Sequence, residues 1–96
     1  MTDQIRVFKD ATAIITGGAS GIGRTMALEL VSRGCTVVLA DRQIALAEEL
    51  AASIVADGGN AWARELNVCD YPAFQVLVDE TVAKTGRIDY LFNNAG

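Results

Sequence analysis

Four of the seven residues from 17 to 23 are glycine, and they stand between a run of small and apolar residues, Ala11-Thr12-Ala13-Ile14-Ile15-Thr16, and a stretch of helical period. A strand this continuous in apolar character is expected where a parallel sheet is covered on both faces. A glycine-rich turn leading from such a strand into a helix offers backbone N–H groups and the positive end of the helix dipole to an anion. A turn that was merely flexible would have no need of that flanking order.

The remainder of the chain repeats the same alternation. Short runs rich in β-branched residues are separated by longer stretches with apolar positions three and four apart, which reads as βαβαβαβ. Strands are expected over 11–16, 36–40, 61–68 and 88–92. The first helix, over 21–33, carries a stripe of Ile22, Met26, Ala27, Leu30 and Val31, with Gly34 following as its terminator. The second, over 43–57, turns Ala47, Leu50, Ala51, Ile54 and Val55 inward, leaves Glu48 and Glu49 outside, and closes at Gly58-Gly59. The third opens at Asp70 as N-cap with Pro72 in its first turn, presents Phe74, Leu77, Val78 and Val82, and ends at Gly86. Trp62 is expected to pack. With right-handed crossovers these elements form a doubly wound, Rossmann-type parallel α/β sheet of strand order 3-2-1-4, two helices on one face and one on the other. That sheet is incomplete: its fourth strand is apolar yet forms an open edge. Residues 1–96 are expected to be the N-terminal part of a single domain. Cys35 enters the second strand and Cys69 leaves the third at the opposite end, some ~20 Å apart, against the ~4.4–6.8 Å a disulfide spans; both are expected as free thiols.

Composition removes several classes of function. Eight Lys and Arg against twelve Asp and Glu, with the basic residues scattered, leave no stripe for a nucleic-acid backbone. No stretch approaches the ~18 apolar residues of a membrane span, and Met1-Thr2-Asp3-Gln4 lacks the character of a signal peptide. The cytoplasm is therefore the expected location. With no histidine and two cysteines, no zinc-ligand spacing exists, and no metal site is expected.

Nucleotide-binding turns differ in residue type and spacing. A phosphate-binding P-loop requires Gly-Lys-Ser/Thr at the helix start, whereas Gly23 is followed by Arg24-Thr25. A methyltransferase using S-adenosylmethionine shares an acidic residue after the second strand, but the position expected to be acidic in the first strand holds Ile15-Thr16. The ordinary G-x-G-x-x-G turn sets its first two glycines two apart; here Gly17 and Gly21 are four apart, with Gly23 two further on. This TGxxxGxG spacing resembles the short-chain dehydrogenase/reductase family. The likeness extends to Asp41 after the second strand, Asn67-Val68 after the third and Asn93-Asn94-Ala95-Gly96 after the fourth, so that it covers essentially the whole chain.

The resemblance implies a nicotinamide cofactor. Gly17, Gly21 and Gly23 would line its pyrophosphate, approached also by the backbone of Ile22: Gly17 permits the sharp turn, Gly21 keeps a Cβ out of the way, and Gly23 lets the helix pack closely. The Ser20 hydroxyl has two roles open to it, donating to a phosphate or stabilising the turn. Asp41 would accept from the adenosine ribose hydroxyls. A charged hydrogen bond there is worth roughly 1.5–3 kcal/mol, whereas a 2′-phosphate would meet about 1–4 kcal/mol of repulsion per charge pair, so NAD is favoured over NADP. Gly18 stands where the family's NADP-binding members carry a basic residue, and Arg42 is read as a solvated charge. Asn67 replaces the Asp common at the adenine site; its carbonyl can accept from the adenine amino group, with the Val68 N–H facing the ring. Asn93 would tie the fourth strand to the first near Thr16, and Asn94, Ala95 and Gly96 would pass close to the ribose.

The family's chemistry resembles general acid catalysis by a tyrosine with a lysine four residues on. Here Tyr71 is followed by Gln75 and Tyr90 by Asn94, and Ser20, Ser32 and Ser53 belong to the turn and helices. No catalytic residue is therefore assigned. The expectation is the cofactor-binding portion of an NAD-dependent oxidoreductase interconverting a small secondary alcohol and a ketone, homo-oligomeric when complete. The alternative is a non-catalytic NAD-binding or interaction module.

Overall fold

The computed structural model describes residues 8–94. In chain order these form β1 (Thr12–Thr16), α1 (Gly21–Ser32), β2 (Thr36–Asp41), α2 (Ile44–Ala56), β3 (Ala61–Glu65), α3 (Tyr71–Thr85) and β4 (Tyr90–Asn93). The strands make one parallel sheet in the order β3-β2-β1-β4. The expected strand order is therefore observed.

Alternation along the central strands divides the core in two. Ala13 and Ile15 of β1, with Val37 and Leu39 of β2, pack beneath Ala27 and Leu30 of α1 and Ala47, Leu50 and Ile54 of α2. Ile14, Val38 and Ala40 face the other way, where Leu66 and Leu77 of α3 join them. Five of the largest of these side chains, Ile14, Ile15, Val37, Val38 and Leu39, are no more than 1% exposed. Removing such a side chain to Ala costs about 2–5 kcal/mol, so β1 and β2 carry the fold.

Helix termini follow the chemistry of their end residues. Asp70 accepts from the Ala73 N–H at 3.1 Å, with Pro72 in the first turn of α3. At the end of α1 the Cys35 N–H reaches the Leu30 carbonyl and the Gly34 N–H that of Val31; at the end of α2 Gly59 reaches Ile54 and Gly58 reaches Val55. Both are the paired bonds of a Schellman motif. They turn each helix sharply into the next strand.

Several expectations are corrected in detail. β3 ends at Glu65, three residues early, because the last ladder bond runs from the Leu66 N–H to the Asp41 carbonyl, where β2 itself ends. β4 begins at Tyr90, two residues late: at Asp89 the backbone N–H still donates to the Thr12 carbonyl at 2.9 Å, but the Thr12 N–H is taken by the Asp89 carboxylate at 2.8 Å. Ile22 is 72% exposed and Gly23 takes its expected place in the α1 stripe, since nothing among the described residues covers the first turn beside β4. Val55 of α2 and Val82 of α3 are both exposed. Thr81 fills the core position instead, its hydroxyl donating to the Leu77 carbonyl at 2.8 Å. Met26 is half-buried against the first cluster, and Trp62 packs against the second with the Lys84 ammonium 4.3 Å from its ring centre. Cys35 is buried, Cys69 exposed, and both are free thiols.

Candidate functional site

The chain runs β1, β2, β3 to one side and then crosses to place β4 on the other side of β1, so the strand order reverses between β1 and β4. Ligands of open α/β sheets bind beyond the carboxyl ends of the strands at such a point. Four segments meet there: the turn after β1, Asp41 to Gln43 after β2, Leu66 to Cys69 after β3, and Asn93-Asn94 at the end of β4.

The glycine turn is shaped by close approach and by unusual dihedrals. A Cβ on Gly23 would lie 2.1 Å from the Gly17 carbonyl oxygen and 2.9 Å from Nδ2 of Asn94. Only hydrogen fits, so α1 begins directly against the turn that launches it. Gly21 has φ +58° with nothing within 4 Å of where its Cβ would stand; its outward side is open. Ser20 is the N-cap of α1, exposed, and makes no side-chain cap bond. The first-turn amides of α1 have no intrahelical acceptors.

Asp41 sits at the end of β2 with its carboxylate divided between two amides. Oδ2 accepts from the Ala19 N–H at 3.1 Å and Oδ1 from the Gln43 N–H at 2.9 Å. It borders a cleft of about 160 Å³ whose walls are Gly17, Ala40, Asp41, Arg42, Gln43, Leu66 and Val68. Asp41 and Val68 are thus brought to one small cavity beside Gly17. Arg42 is exposed, and Asn67, also exposed, uses Oδ1 to accept from the Cys69 N–H at 3.0 Å. That bond closes an Asx-turn and leaves the amide oxygen one lone pair for anything else.

Asn93 and Asn94 join β4 to β1. The Thr16 hydroxyl is 3.0 Å from Oδ1 of Asn93 and accepts from the Asn94 N–H at 3.0 Å, while Nδ2 of Asn94 donates to the Gly17 carbonyl at 3.3 Å. The tie expected between Asn93 and Thr16 is present. Asn94, expected only to run past a ribose, also clamps the start of the glycine turn. Ala95 and Gly96 lie outside the described residues. Sequence reasoning missed Ala19: an alanine carries no chemical signal, and its contribution is a backbone N–H that only the folded register brings to Asp41.

A parallel sheet with helices on both faces, and a glycine turn and an acidic residue at its switch point, define a dinucleotide-binding type of α/β protein. Residues 11–96 match the family described as short chain dehydrogenase, and the chain belongs to that family. It is 37% identical over 89 residues to a cyclohexanol dehydrogenase of Acinetobacter sp., covering 93% of this chain and 36% of that protein. It is 48% identical over 84 residues to tropinone reductase-like 2 of Erythroxylum coca, covering 88% of this chain and 30% of that one. Among solved structures, a hydroxysteroid dehydrogenase from Escherichia coli superposes with a TM-score of 0.91 at 32% identity, over 100% of this chain and 40% of the other. The chain spans about a third of the length of the curated relatives it matches.

Proposed function

We propose that this chain is the NAD-binding, N-terminal portion of an oxidoreductase that interconverts a small secondary alcohol and a ketone. The observation that carries the reading is Asp41. Its carboxylate borders a cleft beside a glycine turn whose outward side is open at Gly21. Gly17, Gly21 and Gly23 with the Ile22 backbone would hold the pyrophosphate, helped by the uncapped Ser20 hydroxyl. Asp41 would take the ribose hydroxyls, Asn67 and Val68 the adenine, and Asn94, Ala95 and Gly96 the ribose side of the turn after β4. A bound nicotinamide supplies the hydride acceptor or donor; these residues hold and orient it.

The carboxylate also supports NAD over NADP, since a 2′-phosphate would stand against it. The relatives include a protein named for cyclohexanol and one named as tropinone reductase-like, which supports an alcohol or ketone as the substrate class. The complete enzyme is read as a cytoplasmic homo-oligomer without nucleic-acid, membrane or metal partners.

A ¹⁵N-correlation NMR spectrum with NAD⁺ and with NADP⁺ tests the reading. Shifts of the amides from 17 to 23 and of Asp41 with NAD⁺, and weaker ones with NADP⁺, are expected. A dispersed spectrum indifferent to both cofactors overturns it. The second reading is a non-catalytic NAD-binding or interaction module. Alcohol-dependent reduction of NAD⁺ by the complete protein separates the two.

A further inference from the structure

We infer that Asp41 is a positioning residue for the anion-binding turn, in addition to the ribose contact proposed for it. Two consecutive residues at the end of β2 hold the turn at two points. The Ala40 carbonyl accepts from the Gly17 N–H at 2.8 Å, and Oδ2 of Asp41 accepts from the Ala19 N–H at 3.1 Å. Between them Gly18 is pressed against Leu39, with a Cβ there 3.0 Å from Leu39 Cδ2 and 3.0 Å from the Ile15 carbonyl oxygen. The turn is therefore moulded on β2.

Ala19 is only 4% exposed, so water is a poor substitute for the carboxylate as acceptor. A buried N–H left without a partner is costly, and the turn would move to satisfy it. The second oxygen is fixed by the Gln43 N–H at 2.9 Å, which sets the carboxylate plane before any ligand arrives. Asp41 thus couples the β1–α1 turn to the β2–α2 turn. Replacing it to change cofactor preference would loosen the site for the pyrophosphate of either cofactor.

This inference rests on the proposed nucleotide site, and its test separates the two. The wild type, Asp41→Ala and Asp41→Asn are compared for Ala19 amide exchange by NMR and for binding of ADP and 2′,3′-dideoxyadenosine diphosphate, which has no ribose hydroxyls. The Asn variant retains an acceptor for one of the two amides and presents an NH₂ to the other. It keeps the comparison available where the alanine variant does not fold. Ala19 exchange is expected to accelerate about ten- to a hundredfold in Asp41→Ala, the factor that loss of a charge-assisted hydrogen bond carries. Affinity for the dideoxy ligand is expected to fall about fivefold or more, as preorganisation is lost. The Asn variant should lie between. If Asp41 acts only on the ribose, Ala19 exchange is unchanged and dideoxy affinity holds or rises, because a negative charge near the diphosphate has been removed; that result overturns the inference, as does faster exchange with undiminished dideoxy affinity. If the wild type binds neither ligand, the nucleotide site is what fails, and unchanged Ala19 exchange would then reject the latch as well.

Discussion

Gly21 and Gly23 stand two residues apart in the same turn and are glycine for different reasons. At Gly21 the constraint is the backbone, φ +58° with free space around it. Gly21→Ala should therefore cost roughly 1–2 kcal/mol, the strain of a left-handed non-glycine residue. At Gly23 the constraint is a carbonyl oxygen 2.1 Å from the added atom, and backbone cannot swing aside as a side chain can. Gly23→Ala should reach or exceed ~3 kcal/mol, the upper end of ordinary overpacking, and urea denaturation of the two variants should rank them in that order. The cysteines form a second contrasting pair. Burial, with a smaller contribution from the nearby Asp89 charge, pushes the Cys35 thiol up to about 11 from 9.0, while Cys69 is exposed. A thiol reagent at pH 8 should modify Cys69 at once and Cys35 only on unfolding; rapid modification of both in the folded protein would refute this. Because the native thiol binds its proton more tightly than the unfolded one, Cys35 contributes stability below pH 9 that is lost as pH rises towards about 11.

Elements begin and end where single side chains take over backbone hydrogen bonds. Asp70 caps α3 through the Ala73 N–H, and Asp70→Ala should lower stability by about 1 kcal/mol, readable as a drop in the urea midpoint with unchanged slope. Asp89 stands where β1 and β4 first meet. Its Oδ2 accepts from the Thr12 N–H at 2.8 Å, and its carboxylate is held by Arg87 through contacts of 2.8 and 2.7 Å. Hydrogen bonds from Arg87 and then Thr12 lower its pKa from the usual 3.8, and its own carboxylate, through the same hydrogen bond and charge, raises that of Arg87. A depressed carboxylate contributes stability that is complete above its unfolded pKa and is lost as pH falls through the folded value. Acid unfolding of the wild type should therefore be steeper below about pH 4 than that of Asp89→Asn, which retains an acceptor oxygen but no charge. Equal acid slopes would remove Asp89 from the account.

At the scale of the molecule, the described residues form a concave surface larger than the glycine-turn cleft. A groove of about 1080 Å³ runs beside α1, walled by Phe8, Ile22, Met26, Leu30 and Phe92 among others. Its walls Phe8 and Phe92 are linked through the Tyr90 ring, whose centre is 5.4 Å from that of Phe8 and 6.0 Å from that of Phe92. Ile22, in the same groove, is 72% exposed. Apolar area of this extent on one side of a small sheet binds amphipathic probes. An environment-sensitive naphthalene sulfonate dye should brighten with the folded chain, and Ile22→Gln should weaken that signal without changing the melting temperature. Among the described residues no helix is long and apolar enough to cross a membrane.

Strand order, the start of α3 and the glycine turn were legible in the residues because each rests on local pattern: period two or three to four, glycine after a strand, an acidic N-cap before a proline. Asp41 at the end of β2 and the tie between Asn93 and Thr16 could also be anticipated, the first from position and the second from family likeness. Tertiary structure alone decided that Asp41 reaches Ala19, 22 residues away, and that Asn94 reaches Gly17, 77 away. It alone also decided that Thr81 would fill the core where Val82 was expected, and that Ile22 would stay exposed in an apolar stripe. Local pattern specifies which residues want a partner. Which partner each finds, and whether a given apolar face is covered, depends on register and on how far the neighbouring elements extend.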